Sequence, residues 1–423
     1  MKFNFLETET EKILRSPNTN YNFNKLTGYT EMWGKTKDED ILYSDVGPHI
    51  LDLEISTICN GYKNNGRCGC CYKFETNSQT QDQNMSLETF KKILDSLAID
   101  CFKITFENGF VIYATENVMF NVPTDIPEDE FPPTDDDIPT IPERVKDISV
   151  EDVLKTSEGF LKIVAKEPAK RYILTQIAYG SDSYGIANPE VFEMMSYARS
   201  VGVIPNITVA NLSDESADKF SKLCGAMSVS CYSDRNVCYD TIKKLTDRGM
   251  KQVNIHFVVH KYSKNIAIDV MKDMMTDERL KNMNAIVFLS LKKKGNGEQM
   301  QILSQEGFNE IINFAFENKI KFGMDSCSGA KFINSIHSRE DFKKIMESVE
   351  PCESTKISSY INVAGKFYSC SFCENTESFK EGVNVLDTNF VKDVWENERT
   401  VAWRNNLLEK NAKGDFSCPV FEV

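Results

Sequence analysis

After residue 171 the chain alternates apolar runs with amphipathic stretches, and this rhythm restricts the fold more than any other feature of the sequence. YILTQIAY, VIPNITVA, GAMSVSCY, KQVNIHFVV and NAIVFLSL each read as a buried strand. Between and after them, NPEVFEMMSYARSVG, DESADKFSKLC, CYDTIKKLTDRG and AIDVMKDMMTDERLKN carry apolar residues at helical spacing. An earlier unit has the same form. HILDLEISTIC alternates and ends in β-branched residues, which predicts a strand over 50–57. MSLETFKKILDSL opens on Ser86, with Thr89 three residues on and Leu87, Phe90, Ile93, Leu94 and Leu97 on one face, which predicts a helix over 86–97. Six strands with intervening helices make parallel βα units, so the fold class is α/β.

Residues 99–171 interrupt this rhythm. KITFENGFVIYA reads as a hairpin turning at Asn108-Gly109, and the acidic, proline-rich NVPTDIPEDEFPPTDDDIPTIPERV follows it. No Lys or Arg occurs between Lys103 and Arg144, which predicts an extended, solvated loop. The segment is expected to be an inserted β-rich module. Residues 1–49 are polar with scattered aromatics and no sustained period, and read as an irregular lead-in. The core then spans 50–98 and 172–315. A different C-terminal unit spans 316–423, with SSYINVAGKFYSCSF reading as two strands around Ala364-Gly365.

A net charge of −14 repels phosphate backbones and anionic lipid, so neither nucleic acid nor a membrane surface is an expected partner. The opening MKFNFLETETEKILRS lacks the marks of a signal peptide, and no window reaches the length of a membrane span, so a cytoplasmic protein is expected. In a reducing cytosol thirteen cysteines are better suited to metal ligation or burial than to disulfides. Cys101, Cys224, Cys231 and Cys238 stand apart and read as small buried side chains.

The others are grouped. Cys59-Asn-Gly-Tyr-Lys-Asn-Asn-Gly-Arg-Cys68-Gly-Cys70-Cys71-Tyr72 sets soft thiolates on glycine-rich backbone, where three of them can meet three irons of a cubane and leave the fourth open. The competing reading is a zinc knuckle on Cys59, Cys68, Cys70 and Cys71, in a non-catalytic scaffold. The adjacent Cys70 and Cys71 suit it poorly, and it leaves the βα architecture unexplained.

The strand, cysteine loop and MSLETFKKIL helix, followed by LTQIAYGSDSYGIANPEVFEMMSYARSVGVIPNITVAN, resemble the radical S-adenosylmethionine (SAM) superfamily. That family spaces its ligands as CxxxCxxC. Here eight residues separate Cys59 from Cys68, and Cys68-x-x-Cys71-Tyr keeps the register. The resemblance implies a partial (β/α)6 radical SAM barrel whose Cys59, Cys68 and Cys71 hold a catalytic [4Fe-4S] cluster, with Cys70 as the alternate third ligand. Gly180-Ser181-Asp182 stands where the family has a Gly-Gly-Glu-like turn for the amino group of SAM. Tyr72, Ser230, Arg235 and the strand ends around Asn254 and Leu289 are further cofactor-contact candidates. In such enzymes an electron from a flavodoxin or ferredoxin enters the cluster, and SAM splits to methionine and a 5′-deoxyadenosyl radical. The radical abstracts hydrogen from a substrate, here a peptide or protein side chain or a small metabolite, while the protein positions it and excludes water.

Cys352, twelve residues, Gly365, four residues and Cys370 match the CX9–15GX4C opening of SPASM and twitch domains. That resemblance implies a second [4Fe-4S] cluster on Cys327, Cys352, Cys370 and Cys418, with Cys373 as alternate; structural zinc or free thiols is the competing reading. The insertion faintly resembles the Hint fold of inteins. Gly109-x5-Thr115-x2-Val118 mimics an intein block ending in histidine, and VKDISVEDVL reads as a second strand pair. With Val118 in the histidine place no splicing is expected, and a chance hairpin explains the pattern as well. His256 and His260 read as core or rim histidines, Gly295-Asn-Gly297 as a turn, and the Met residues of VFEMMSY and VMKDMMTD as core.

Overall fold

The computed structural model describes residues 3–63, 66–73, 82–124 and 139–422. Ile50–Glu54, Gln176–Gly180, Ile204–Val209, Ala226–Ser230, Val253–Val259 and Ala285–Ser290 pair in parallel, in that spatial order. Successive residues of a strand point to opposite faces. One face buries Leu51, Leu53, Ile177, Tyr179, Ile207, Val209, Met227, Val229, Ile255, Phe257, Ile286 and Phe288 in a common core with the helices. The other face presents Asp52, Asn206, Thr208, Ser228, Asn254 and His256, all partly or well exposed. The first strand stops at Glu54, short of the expected 57. The helix over Leu87–Ser96 forms as read, with Ser86 Oγ accepting from the Thr89 amide at 3.1 Å and Phe90, Ile93 and Leu94 buried.

The sheet continues past both ends of this core. Phe322–Met324 adds a parallel strand beside Ala285–Ser290. Ser358–Ile361 lies parallel to Ile50–Glu54, and Lys366–Tyr368 and Val383–Asn384 follow it antiparallel. Residues after 316 therefore lengthen the same sheet. The turn at Ala364-Gly365 forms as expected, with Gly365 at φ +70°.

The reading of residues 1–49 as an irregular lead-in is corrected. Asn4–Glu7, Glu11–Arg15, Asn20–Asn24 and Thr30–Trp33 form an antiparallel meander. It joins Ala98–Phe106, Val111–Ala114, Val153–Thr156 and Gly159–Tyr172 of the insertion in one eight-stranded sheet, through the pairing of Asn4–Glu7 with Val111–Ala114. The strands bury Phe5, Leu14, Tyr21 and Phe23, but asparagines fill the intervening positions of NYNFN, and their poor strand propensity hides the alternation. Lys12, wholly buried, donates to the carbonyls of Tyr172 and Leu174 at 2.8 Å each and ties the exit of the insertion to the amino-terminal strands.

The hairpin at Asn108-Gly109 forms as read. The strand pair read into VKDISVEDVL does not: residues 146–151 are mainly turn, and only Val153 and Leu154 enter a strand. Asp152 accepts from the Ser149 amide at 2.7 Å, one of the local bonds by which Asp and Ser compete with a ladder. Most of the acidic stretch, residues 125–138, lies outside the described residues. Among the described residues no helix is long and apolar enough to cross a membrane.

His49 sits 2% exposed against the edge of Tyr21, and neither ring nitrogen finds a hydrogen-bond partner among the described residues. Burial pushes it down to about 3. Between its unfolded value near 6.5 and about 3 the unfolded chain binds a proton that the fold refuses, so this group costs stability as pH falls through that window. His49→Leu is expected to gain on the wild type by about 1.4 kcal/mol per pH unit below about pH 6.5, read from urea midpoints. A constant difference across that range would refute the assignment.

Candidate functional site

Cys59 lies just past the end of the first parallel strand, and glycine makes the turn that follows it possible. Gly61 has φ +74°, and a Cβ there would fall 1.9 Å from the Gly66 carbonyl. Cys59 Sγ accepts from the Gly61 amide at 3.4 Å and lies 3.9 Å from Ser183 Oγ. Tyr62 stacks on Tyr232 at 4.7 Å, shares a 3.0 Å hydrogen bond with Ser233, and accepts at its carbonyl from the Tyr184 hydroxyl at 2.9 Å. The loop is thereby pinned to the turns that end the second and fourth parallel strands.

Burial pushes the Cys68 thiol up; a hydrogen bond with Tyr232 opposes this, and Cys71 and Cys59 add to it, so both lie near Cys68. Burial pushes Cys70 up to about 11. Among the described residues no three His, Cys, Asp or Glu side chains converge as ligands of one ion. Three soft thiols on one loop, without imidazole or carboxylate, fit the iron–sulfur group.

Gly180, Asp182, Ser230 and Arg235, which the resemblance assigns to SAM, lie at or just past the ends of the second and fourth parallel strands. Gly180 closes the second strand, and its carbonyl accepts from Ile55 at 2.8 Å. The Asp182 carboxylate turns back on its own loop, accepting from the amides of Tyr184 at 3.1 Å, Ile186 at 2.9 Å and Ala187 at 3.0 Å, and from Ser181 Oγ at 3.4 Å. This turn requires Gly185 at φ +73°, where a Cβ would crowd Phe220 and Val209 at 3.0 Å. Asp182 thus shapes the turn, and Ser183, which sequence reading passed over, is the residue that reaches Cys59. Arg235 opens the helix after the fourth parallel strand and pairs with Asp273 at 2.7 Å. Ser230 is half-buried and hydrogen-bonds Tyr232. Asn254 accepts from Asn284 at 3.0 Å, and Leu289 is half-buried on the next strand. His256 lies on the polar face 3.4 Å from Thr208, held down to about 4 by burial, so it is neutral there at pH 7. Cys101, Cys224, Cys231 and Cys238 are buried as expected.

The C-terminal cysteines come together from four separate segments. Burial pushes Cys327 well up, and Lys292 pulls it back while Asp325, Cys352 and Cys418 add to it. Cys352 is pushed up to about 11 by burial, with Cys370 and Cys418 adding. Cys370 donates to Cys373 at 3.4 Å, which raises the first thiol and lowers the second, and Cys373 also feels Cys418 and Cys352. The alternate Cys373 therefore belongs to the same gathering as the other four.

Tyr72 reaches the second cysteine group. It packs on Phe372, between Cys370 and Cys373, with ring centroids 4.3 Å apart, and burial pushes it up to about 12. Next to it, Lys73 pairs with Glu54 at 3.0 Å and more closely with Glu374 and the Tyr360 hydroxyl. A strap from the end of the sixth parallel strand grips both cysteine groups. Lys292 pairs with Asp325, Lys294 donates to the carbonyls of Phe372 and Glu374 at 2.9 and 2.5 Å, and Asn296 donates to those of Cys71 and Cys68 at 2.9 and 3.0 Å. The stretch read as a mere turn at Gly295-Asn-Gly297 so becomes part of the site. The three lysines directly after a buried strand, LKKKGNG, were the available signal.

No protein-family model and no curated protein matches the chain. Among solved structures, SuiB of Streptococcus suis bound to the precursor peptide SuiA superposes with a TM-score of 0.52 at 11% identity, over 85% of this chain and 67% of SuiB. Weaker likenesses are BtrN in complex with AdoMet and 2-DOIA (TM-score 0.37, 10% identity, 87% of this chain and 90% of BtrN) and HydG, a maturase of the [FeFe]-hydrogenase (0.40, 10%, 88% and 74%). The chain shares the fold of SuiB.

Proposed function

We propose that the chain is a radical SAM enzyme that acts on a peptide or protein side chain. One observation carries the reading: in a fold shared with SuiB, Cys59, Cys68 and Cys71 share one loop just past the end of the first parallel strand, with Cys59 and Cys71 both near enough to act on the Cys68 thiol. A [4Fe-4S] cluster bound there, with SAM at its open iron, supplies one-electron cleavage of SAM and a carbon radical able to take hydrogen from the substrate.

The chain's own residues hold and shield that place. Ser183 borders Cys59, Tyr62 and Tyr232 wall the loop, and Asn296 fixes the carbonyls of Cys68 and Cys71. The polar face of the sheet, with neutral His256 beside Thr208, offers hydrogen bonds to a substrate without a fixed positive charge. A flavodoxin- or ferredoxin-type reductant supplies the electron. The gathered Cys327, Cys352, Cys370, Cys373 and Cys418 support a second [4Fe-4S] cluster in a twitch-like arrangement. The substrate class follows SuiB, whose structure holds a precursor peptide on the same fold.

Anaerobically purified protein is expected to carry about eight irons and, with dithionite and SAM, to release 5′-deoxyadenosine detectable by mass spectrometry. Colourless protein containing zinc, inert toward SAM, would overturn the proposal.

A further inference from the structure

The C-terminal cysteine group faces a problem of charge. Binding metal strips protons from its thiols, leaving several negative charges on sulfurs that are half-buried or, at Cys373, buried, and such charges gain from a partner nearby. Lys292 is placed to be that partner. Its side chain is 3% exposed, its ammonium pairs with Asp325 and lies 4.9 Å from the centre of the Phe372 ring, and it acts on both Cys327 and Cys418. At Cys327 its pull exceeds the push of Asp325. The other charged groups at this place are Lys294, whose ammonium donates to the Phe372 carbonyl between Cys370 and Cys373, Glu374 with its partner Lys73, Lys356 near Cys352, and Glu353 and Glu350 beside Lys356.

We propose that Lys292 sets the reduction potential of an iron–sulfur cluster held by the C-terminal cysteines, its buried positive charge favouring the reduced form. The inference rests on the second-cluster reading above. The step is the addition of one electron from a low-potential donor such as dithionite or a flavodoxin-type protein: no bond forms or breaks, no proton moves, and the cluster–thiolate unit becomes more negative by one charge. A fixed ammonium in a poorly hydrated site stabilises the added charge.

The test is a redox titration of the anaerobic full-length protein followed by electron paramagnetic resonance, with iron counted in each sample. In Lys292→Met the C-terminal cluster is expected to titrate lower, with a tenfold or greater fall in its reduced-to-oxidised ratio at the wild-type midpoint, which is 59 mV for a one-electron couple. Lys292→Arg keeps the charge and is expected to stay within about twofold of wild type. The N-terminal cluster should not shift in either. If Lys292→Met sheds the cluster because Asp325 is left unpaired, the double variant Lys292→Met/Asp325→Asn removes both charges and is still expected to titrate below wild type. A two-cluster protein whose C-terminal signal is unmoved by loss of Lys292 sinks this inference alone. A wild-type protein that binds only about four irons sinks the second-cluster reading with it.

Discussion

Joint Cys59→Ser, Cys68→Ser and Cys71→Ser replacement is expected to leave a folded chain with about four fewer irons and at least ~10³-fold less 5′-deoxyadenosine formation, a loss of at least ~4 kcal/mol in effective barrier. The reason lies in the donor atoms. A hydroxyl is hard and far less acidic than a thiol, so it neither matches iron–sulfur chemistry nor gives up its proton to bind metal. Each single replacement should lose most of the same activity, because the three thiols act as one ligand set. Cys70→Ala tests the alternate: Cys70 is half-buried and its thiol is pushed up to about 11, so its removal should spare iron content and SAM cleavage. If the triple variant still cleaves SAM reductively, the assignment of this loop fails.

The second large effect is one of stability. Lys73→Met should lower the unfolding free energy by about 3 kcal/mol, read from the denaturant midpoint, because it removes one cation shared by two carboxylates. Lys73 is 23% exposed, and its partners Glu54 and Glu374 are 10% and 14% exposed, so water cannot replace the lost ammonium well. Burial alone would lower the Lys73 ammonium, but Glu54, Tyr72 and Glu374 reverse this and raise it, so the cation is present at all working pH values. Without it the Glu374 carboxyl, which burial pushes up and Lys73 holds down, would titrate above its unfolded range. The fold would then bind protons that the unfolded chain does not, and the deficit of the variant should shrink as pH falls toward about 5. A deficit that is small and independent of pH would count against the clamp.

Much of the core was legible because its signal is local. The apolar runs of the parallel strands and the Ser86 cap each depend on residues a few positions apart. The cysteine groups were legible for the same reason, since ligand chemistry shows in residue type and spacing. What the residues do not reveal is which partner a polar side chain faces. The Asp182 carboxylate caps its own turn and the Arg235 guanidinium pairs with Asp273 on a neighbouring helix, and neither partner shows in the sequence. Lys73 and Glu374 lie about three hundred positions apart, beyond the reach of any periodicity. The amino-terminal strands escaped notice because asparagine occupies positions where strands usually carry β-branched residues.

The interleaving of residues 4–33 with the strands of 98–172 has a practical consequence for anyone who would shorten this chain. Excising the insertion as if it were a detachable cassette would strip Val111–Ala114 from Asn4–Glu7 and bare a ladder of amides and carbonyls that invites pairing with another molecule. During synthesis the first meander likewise emerges about a hundred residues before its neighbour and waits with that edge open. The two segments are two halves of one seam, and trimming or transplanting either calls for taking both.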